Sequence, residues 1–184
     1  MDIFEKLLST NPYSRPGKVL KSPNFIVMHW VEKPQQSALN VRDFWELRKR
    51  GDLGFGGGHY VVDHNGAVRC ASEIEMVPHV GTAIGITRWA LETFGNERFQ
   101  GYSIANYYCL GVEMCNLDTE GSYSDQTYDN AVQLVADLCK CHARDPFRDI
   151  ITHNMVVGWK DCPRWFVRNP GELERFRWRV AALL

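Results

Sequence analysis

The chain has 184 residues, 45% of them hydrophobic and 23% charged, with a formal net charge of −1. That is long enough for one domain with its own core, and the composition is ordinary for a globular protein. The near-neutral balance excludes a general pull toward nucleic acid, and there is no apolar run of about 18 residues to insert in a membrane.

Charge is spread unevenly. Residues 140–184 carry nine Lys/Arg against five Asp/Glu, about +4, which reads as a solvated helix face. The six cysteines are Cys70, Cys109, Cys115, Cys139, Cys141 and Cys162. No C-x-x-C pair occurs, and on a helix Cys139 and Cys141 would face different ways, so no disulfide framework is expected. The opening M-D-I-F-E-K-L-L-S-T is acidic early and lacks a long apolar run. The expectation is synthesis in a reducing cytoplasm without a signal peptide, followed by release.

In chain order, Ile3 to Leu8 predicts a short amphipathic helix. Asn11 to Pro23 is a loop broken by Pro12, Pro16, Gly17 and Pro23. Phe25-Ile26-Val27-Met28 is a buried strand with His29 at its end. Asn40 to Arg50 is a helix, with Val41, Phe44, Trp45 and Leu47 near helical spacing, Asn40 able to cap it and Gly51 to stop it. After Gly56 to Gly58, His59–Val62 and Ala67–Cys70 read as strands joined by a turn at His64-Asn65-Gly66. The glycines are not a phosphate loop, because no G-K-[ST] follows.

Val77 to Gly81 sets His79 in a loop between breakers. Thr87 to Thr93 is a helical turn, and Asn96 to Asn106 an aromatic-rich loop. Cys109 to Cys115 is a strand whose alternation puts Cys109, Gly111, Glu113 and Cys115 on one face. Glu113 is then a carboxylate in an apolar strand, which demands a cation or a wet cavity. Gln126 to His142 is a helix with Ala131, Leu134, Val135 and Leu138 as its stripe, capped by Ser124 or Asp125. Asp149 to Thr152 is a strand that delivers His153, and Gly171 to Leu183 a terminal helix.

The segment T-H-N-M-V-V-G-W-K-D-C-P-R-W-F, residues 152–166, concentrates the chemistry. His153 and Cys162 are zinc-type ligands, too far apart for one helical face, so a loop must join them. Lys160 lies close enough to Cys162 to reach whatever that cysteine holds. A catalytic zinc usually takes three protein ligands, and the third candidate is His29. Both histidines leave strand ends, where α/β sheets place their chemistry.

Five segments now stand in order: I-V-M-H-W, G-G-H-Y-V-V-D-H-N-G, V-P-H-V-G, L-G-V-E-M-C-N and H-(x)6-K-x-C-P. In these the sequence resembles the zinc-dependent N-acetylmuramoyl-L-alanine amidases of the type-2 amidase and peptidoglycan-recognition superfamily, nearest the phage endolysin and bacterial autolysin branch. The resemblance runs from about residue 23 to 166. It implies a single α/β domain over 1–184, with a central mixed sheet flanked by helices and a terminal helix at about 171–183. It implies Zn2+ held by His29, His153 and Cys162, Glu113 as general base, Lys160 as oxyanion stabiliser, and His79 and His59 at the substrate. The implied partner is bacterial peptidoglycan; the oligomeric state stays open, with a monomer expected.

Three departures accompany the resemblance. Gly58 stands where some members have tyrosine, leaving base duty to Glu113. Cys162 stands where many wall amidases have aspartate, with Asp161 as a neighbouring competitor. P-H-V-G replaces W-H-A-G, which removes an aromatic from the expected groove wall. Two other readings stay open: a peptidoglycan-binding module without catalysis, and a zinc-stabilised interaction protein in which Glu113 and Lys160 form a structural ion pair.

Overall fold

The computed structural model describes all residues, 1–184. Its strands are β1 (Ile3–Glu5), β2 (Lys18–Val19), β3 (Phe25–Trp30), β4 (Tyr60–Asp63), β5 (Gly66–Arg69), β6 (Glu75–Met76), β7 (Arg98–Phe99), β8 (Tyr102–Ser103), β9 (Cys109–Met114) and β10 (Ile150–Thr152). The helices are α1 (Ala38–Leu47), α2 (Arg88–Phe94), α3 (Asp125–His142), α4 (Pro146–Asp149), α5 (His153–Val157), α6 (Arg164–Arg168) and α7 (Glu172–Ala181).

Six strands form one sheet in the order β1-β5-β4-β9-β3-β10, and β2–β6 and β7–β8 are small antiparallel pairs. Only the β4–β5 hairpin is antiparallel in the large sheet; the other pairings are parallel. The expected mixed sheet with flanking helices is therefore the observed fold. Tyr60, Val62 and Ala67 point to the larger core, with Leu134, Val135 and Leu138 of α3 and Phe176 and Val180 of α7. Val61 and Val68 point the other way, to a smaller core with Val41 and Trp45 of α1. Alternation along each strand assigns one face to α1 and the opposite face to α3 and α7.

The N-terminus departs from the expected helix. Ile3–Glu5 pairs parallel with β5, and the ladder continues as Lys6 and Leu8 N–H donate to the Arg69 and Cys70 carbonyls. Ile3 and Phe4 stay exposed while Leu8 is buried, so pairing to a sheet edge prevails over a weak helical period. The first helix starts at Ala38 because Ser37, rather than Asn40, is its N-cap: the Ser37 hydroxyl accepts the Asn40 N–H. Gly51 ends the following 3-10 turn in the left-handed region, as its sequence position predicts. The expected loop at 96–106 contains the short β7–β8 hairpin and a 3-10 turn.

Candidate metal centre and groove

Register brings the chemistry together. β3 and β9 run parallel with His29 opposite Glu113, and β4 places Val61 beside Glu113. His29 and Glu113 therefore share the sheet face that carries α1. That helix packs over β4 and β5, which leaves the ends of β9, β3 and β10 open on the same face. The Thr152 hydroxyl caps α5 by accepting the Met155 N–H, so His153 is its first residue. The chain then turns at Gly158 and returns. Asn154 holds that return twice: its side chain donates to the Lys160 carbonyl at 2.9 Å, and its N–H to the Cys162 carbonyl at 2.9 Å.

The result is a buried group of His29, His153 and Cys162 whose ligand atoms all lie within 4.8 Å of one another. His29 Nδ1 is 3.6 Å from the Cys162 sulfur and 3.9 Å from Glu113 Oε1. Both ring nitrogens of His153 are buried with no hydrogen-bond partner. A buried imidazole with two unused nitrogens costs free energy unless something binds it. Two imidazoles and a thiol converging on one point could hold a metal ion. Asp161, the alternative ligand, instead pairs with Arg168 at 2.9 Å.

Burial lowers all three histidines of the cluster. His29 and His79 fall well below the usual imidazole value, and His153 to about 3, with Lys160 and neighbouring imidazoles adding to the shift. Neutral rings each carry one proton, and their partners locate it. The Cys109 carbonyl can only accept, so His79 Nε2–H donates to it at 3.2 Å. His79 Nδ1 is then the acceptor for His29 Nε2–H at 3.0 Å. That leaves His29 Nδ1 as a bare lone pair facing Cys162.

His79 thus lines the groove, but both its nitrogens are committed, and at 8% exposure it is no solvated loop residue. Gly111 makes room for it: a Cβ there would meet the His79 ring at 2.8 Å. A glycine inside a strand is the sequence signal for such a close approach. His59 corrects the expectation of a groove residue. It is fully buried; its Nδ1 accepts the Gly111 N–H at 3.0 Å and its Nε2–H donates to the Glu75 carbonyl at 2.9 Å. With both nitrogens bound to backbone, it braces the sheet.

Glu113 lines the groove, and burial pushes its carboxyl up to about 8, with Lys160 and Arg48 pulling it down and Glu32 opposing them. A cation on the three ligands would act in the same direction as Lys160. Lys160 has Glu32, at 3.9 Å, as its carboxylate partner; it makes no ion pair with Glu113, so the structural-pair reading lacks its contact. Burial raises the Cys162 thiol, while the Trp30 backbone N–H favours its thiolate. Trp45 fills the space in front of Gly58, where a Cβ would meet its ring at 2.8 Å.

Around this cluster lies an open groove of about 790 Å³. Phe44 and Trp45 of α1, and Arg48 just after it, line it on one side. Ile84 and, after α5, Trp159 and Lys160 line it as well. Among these, sequence reasoning missed Trp159 and Arg48, because nothing local marks a side chain as facing a groove.

The fold and the cluster define an α/β domain with a candidate metal centre in an open cleft. The sequence profile of the N-acetylmuramoyl-L-alanine amidase family matches residues 19–165, and the chain belongs to this family. It is 34% identical over 184 residues to a probable N-acetylmuramoyl-L-alanine amidase of Bacillus licheniformis, covering 99% of this chain and 48% of that protein. It is 27% identical to N-acetylmuramoyl-L-alanine amidase BlyA of Bacillus subtilis strain 168, again covering 99% of this chain and 48% of the relative. The chain thus spans about half the length of these relatives. Its fold is that of PlyL, with a TM-score of 0.73 at 20% identity over 98% of this chain and 97% of PlyL. It is also that of the XlyA catalytic domain, at 0.70 and 19% over 98% and 99%.

Proposed function

We propose that the domain is a zinc-dependent amidase that hydrolyses the bond between the lactyl group of N-acetylmuramic acid and L-alanine in bacterial peptidoglycan. The observation that carries this reading is the His29, His153 and Cys162 group, with its unpartnered His153 nitrogens, beside the buried Glu113. Family membership supports the scissile bond.

His29, His153 and Cys162 would hold the zinc. When bound, it supplies Lewis acidity, acidifying water and polarising a carbonyl. Glu113, 3.9 Å from His29 Nδ1, takes the proton of the attacking water and returns it to the leaving amine of L-alanine. Lys160 donates a hydrogen bond to the carbonyl oxygen as it gains charge, a contribution of about 3 kcal/mol for a well-placed donor. His79 orients His29 through the Nε2–Nδ1 bond. One water and one amide give one carboxylic acid and one amine. No helix is long and apolar enough to cross a membrane, which suits action in an aqueous cell wall.

The test is incubation with purified peptidoglycan, with and without a zinc chelator, followed by mass analysis. The expected products are stem peptides starting with L-alanine, lost on chelation and restored by zinc. Intact glycan-peptide with measurable binding would identify a recognition module instead, and cleavage elsewhere would reject the assigned bond.

A further inference from the structure

The groove has an aromatic feature that the hydrolytic chemistry leaves unused. Trp159 is 51% exposed and Ile84 79% exposed, and both line the groove. A Cβ at Gly85 would come within 3.0 Å of the Trp159 ring, so the indole lies against the segment that carries Ile84. Trp159 immediately precedes Lys160 and stands three positions before Cys162. A large apolar surface facing a polar cleft marks a ligand contact.

The sheet order fixes which side of the cluster this is. Glu113 lies on β9, His29 on β3, and His153 follows β10 at the sheet edge. Trp159 follows α5, which packs on β3 and β10, whereas α1, with Phe44 and Trp45 and followed directly by Arg48, lies over β4 and β5. The two sides differ in chemistry. Arg48 carries a fixed positive charge on the α1 side, and its Nε is buried with no partner. On the other side Lys160 has Glu32 as its carboxylate partner at 3.9 Å, and the exposed surface of Trp159 and Ile84 is apolar.

A peptidoglycan substrate has two arms of correspondingly different chemistry. One is neutral carbohydrate, whose pyranose rings present apolar C–H faces with hydroxyls at the edge. The other is a peptide that bears carboxylates. We propose that Trp159 is the platform for the glycan arm: a sugar ring lies against the indole face, and the peptide runs toward α1 and Arg48. This rests on the amidase reading and adds the direction in which the substrate lies. It also gives the groove an aromatic wall in a place other than the Pro78 segment.

The experiment compares wild type, Trp159→Ala and Trp159→Phe, all zinc-loaded, on two substrates with the same scissile amide. One is a muramoyl-peptide; the other is the lactyl-peptide, which lacks the sugar ring. The ratio of kcat/KM for the muramoyl-peptide to that for the lactyl-peptide is expected to fall about tenfold in Trp159→Ala, chiefly through KM, and to be largely kept in Trp159→Phe. An equal loss on both substrates would overturn the proposal and make Trp159 a support for the Lys160–Cys162 loop. No loss on either would overturn it as well. Wild type that cuts neither substrate would remove the amidase reading, a separate result. In that case binding of peptide-free glycan strands, followed by isothermal titration calorimetry, still decides the platform: lost binding in Trp159→Ala supports it, and unchanged binding rejects it.

Discussion

Replacing His79 by phenylalanine keeps the ring shape above Gly111 and removes both hydrogen bonds. The change leaves His29 Nε2–H without its acceptor at 3.0 Å and the Cys109 carbonyl without its donor at 3.2 Å. Each orphaned buried group costs about 1–3 kcal/mol, so the metal-free protein should lose roughly 2–6 kcal/mol of stability. Zinc affinity should fall by about 10–100-fold, because the proton on His29 is no longer held at Nε2 and Nδ1 is no longer the fixed lone pair. His79→Asn separates the two effects. Its side-chain oxygen can stand near the position of Nδ1 and accept from His29, while the contact to Cys109 is lost. The assay is competition with a chromophoric zinc chelator, paired with urea unfolding of the metal-free proteins. His79→Asn should stay within a few-fold of wild-type zinc affinity and lose about half the stability that phenylalanine costs. Wild-type affinity in His79→Phe, or equal affinity losses in both variants, would refute the orienting role.

Three further outcomes are expected. Glu113→Gln should lose about 10²–10⁴-fold in kcat on peptidoglycan with zinc stoichiometry and melting temperature kept, and near-normal turnover would exclude Glu113 from the proton transfers. Lys160→Met should cost about 10²–10³-fold in kcat with little change in zinc content; a pure KM effect would make Lys160 a binding residue. His59 concerns stability against pH. Burial lowers its folded value from 6.5 to about 4, so the unfolded chain binds the extra proton between those values. The stability contribution is therefore fully present above about pH 6.5 and declines as pH falls toward 4, by about 3 kcal/mol in all. Urea midpoints of His59→Asn across pH 4.5–6.5 should show a shallower fall than wild type, and an identical slope would contradict the neutral, doubly bonded ring.

The elements that carry the site were legible because their signals are local. The apolar run 25–28 and the alternation of 109–115 gave β3 and β9, and the stripe of 126–142 gave α3. The His–Lys–Cys spacing marked the loop that the structure closes around Asn154. What was not legible depends on partners far along the chain. The edge strand at Ile3–Glu5 exists only because β5 is beside it. The roles of His59 and His79 follow from bonds to residues 16–52 positions away. Five-residue α5 is too short for a periodicity, although Thr152 is of a residue type that favours the N-cap.

The 2.8 Å approach between Gly111 and the His79 ring also constrains how this sequence can change. A side chain at 111 is tolerated only if position 79 shrinks, and a smaller residue at 79 gives up the bond to the Cys109 carbonyl while opening a void. Each single step is a loss, and only a coordinated pair keeps the packing. Positions 79 and 111 are therefore epistatic, and a library that varies them one at a time would record both as intolerant. Varied jointly, and together with position 29, they form one evolutionary unit whose permitted combinations a selection for cell-wall lysis could enumerate.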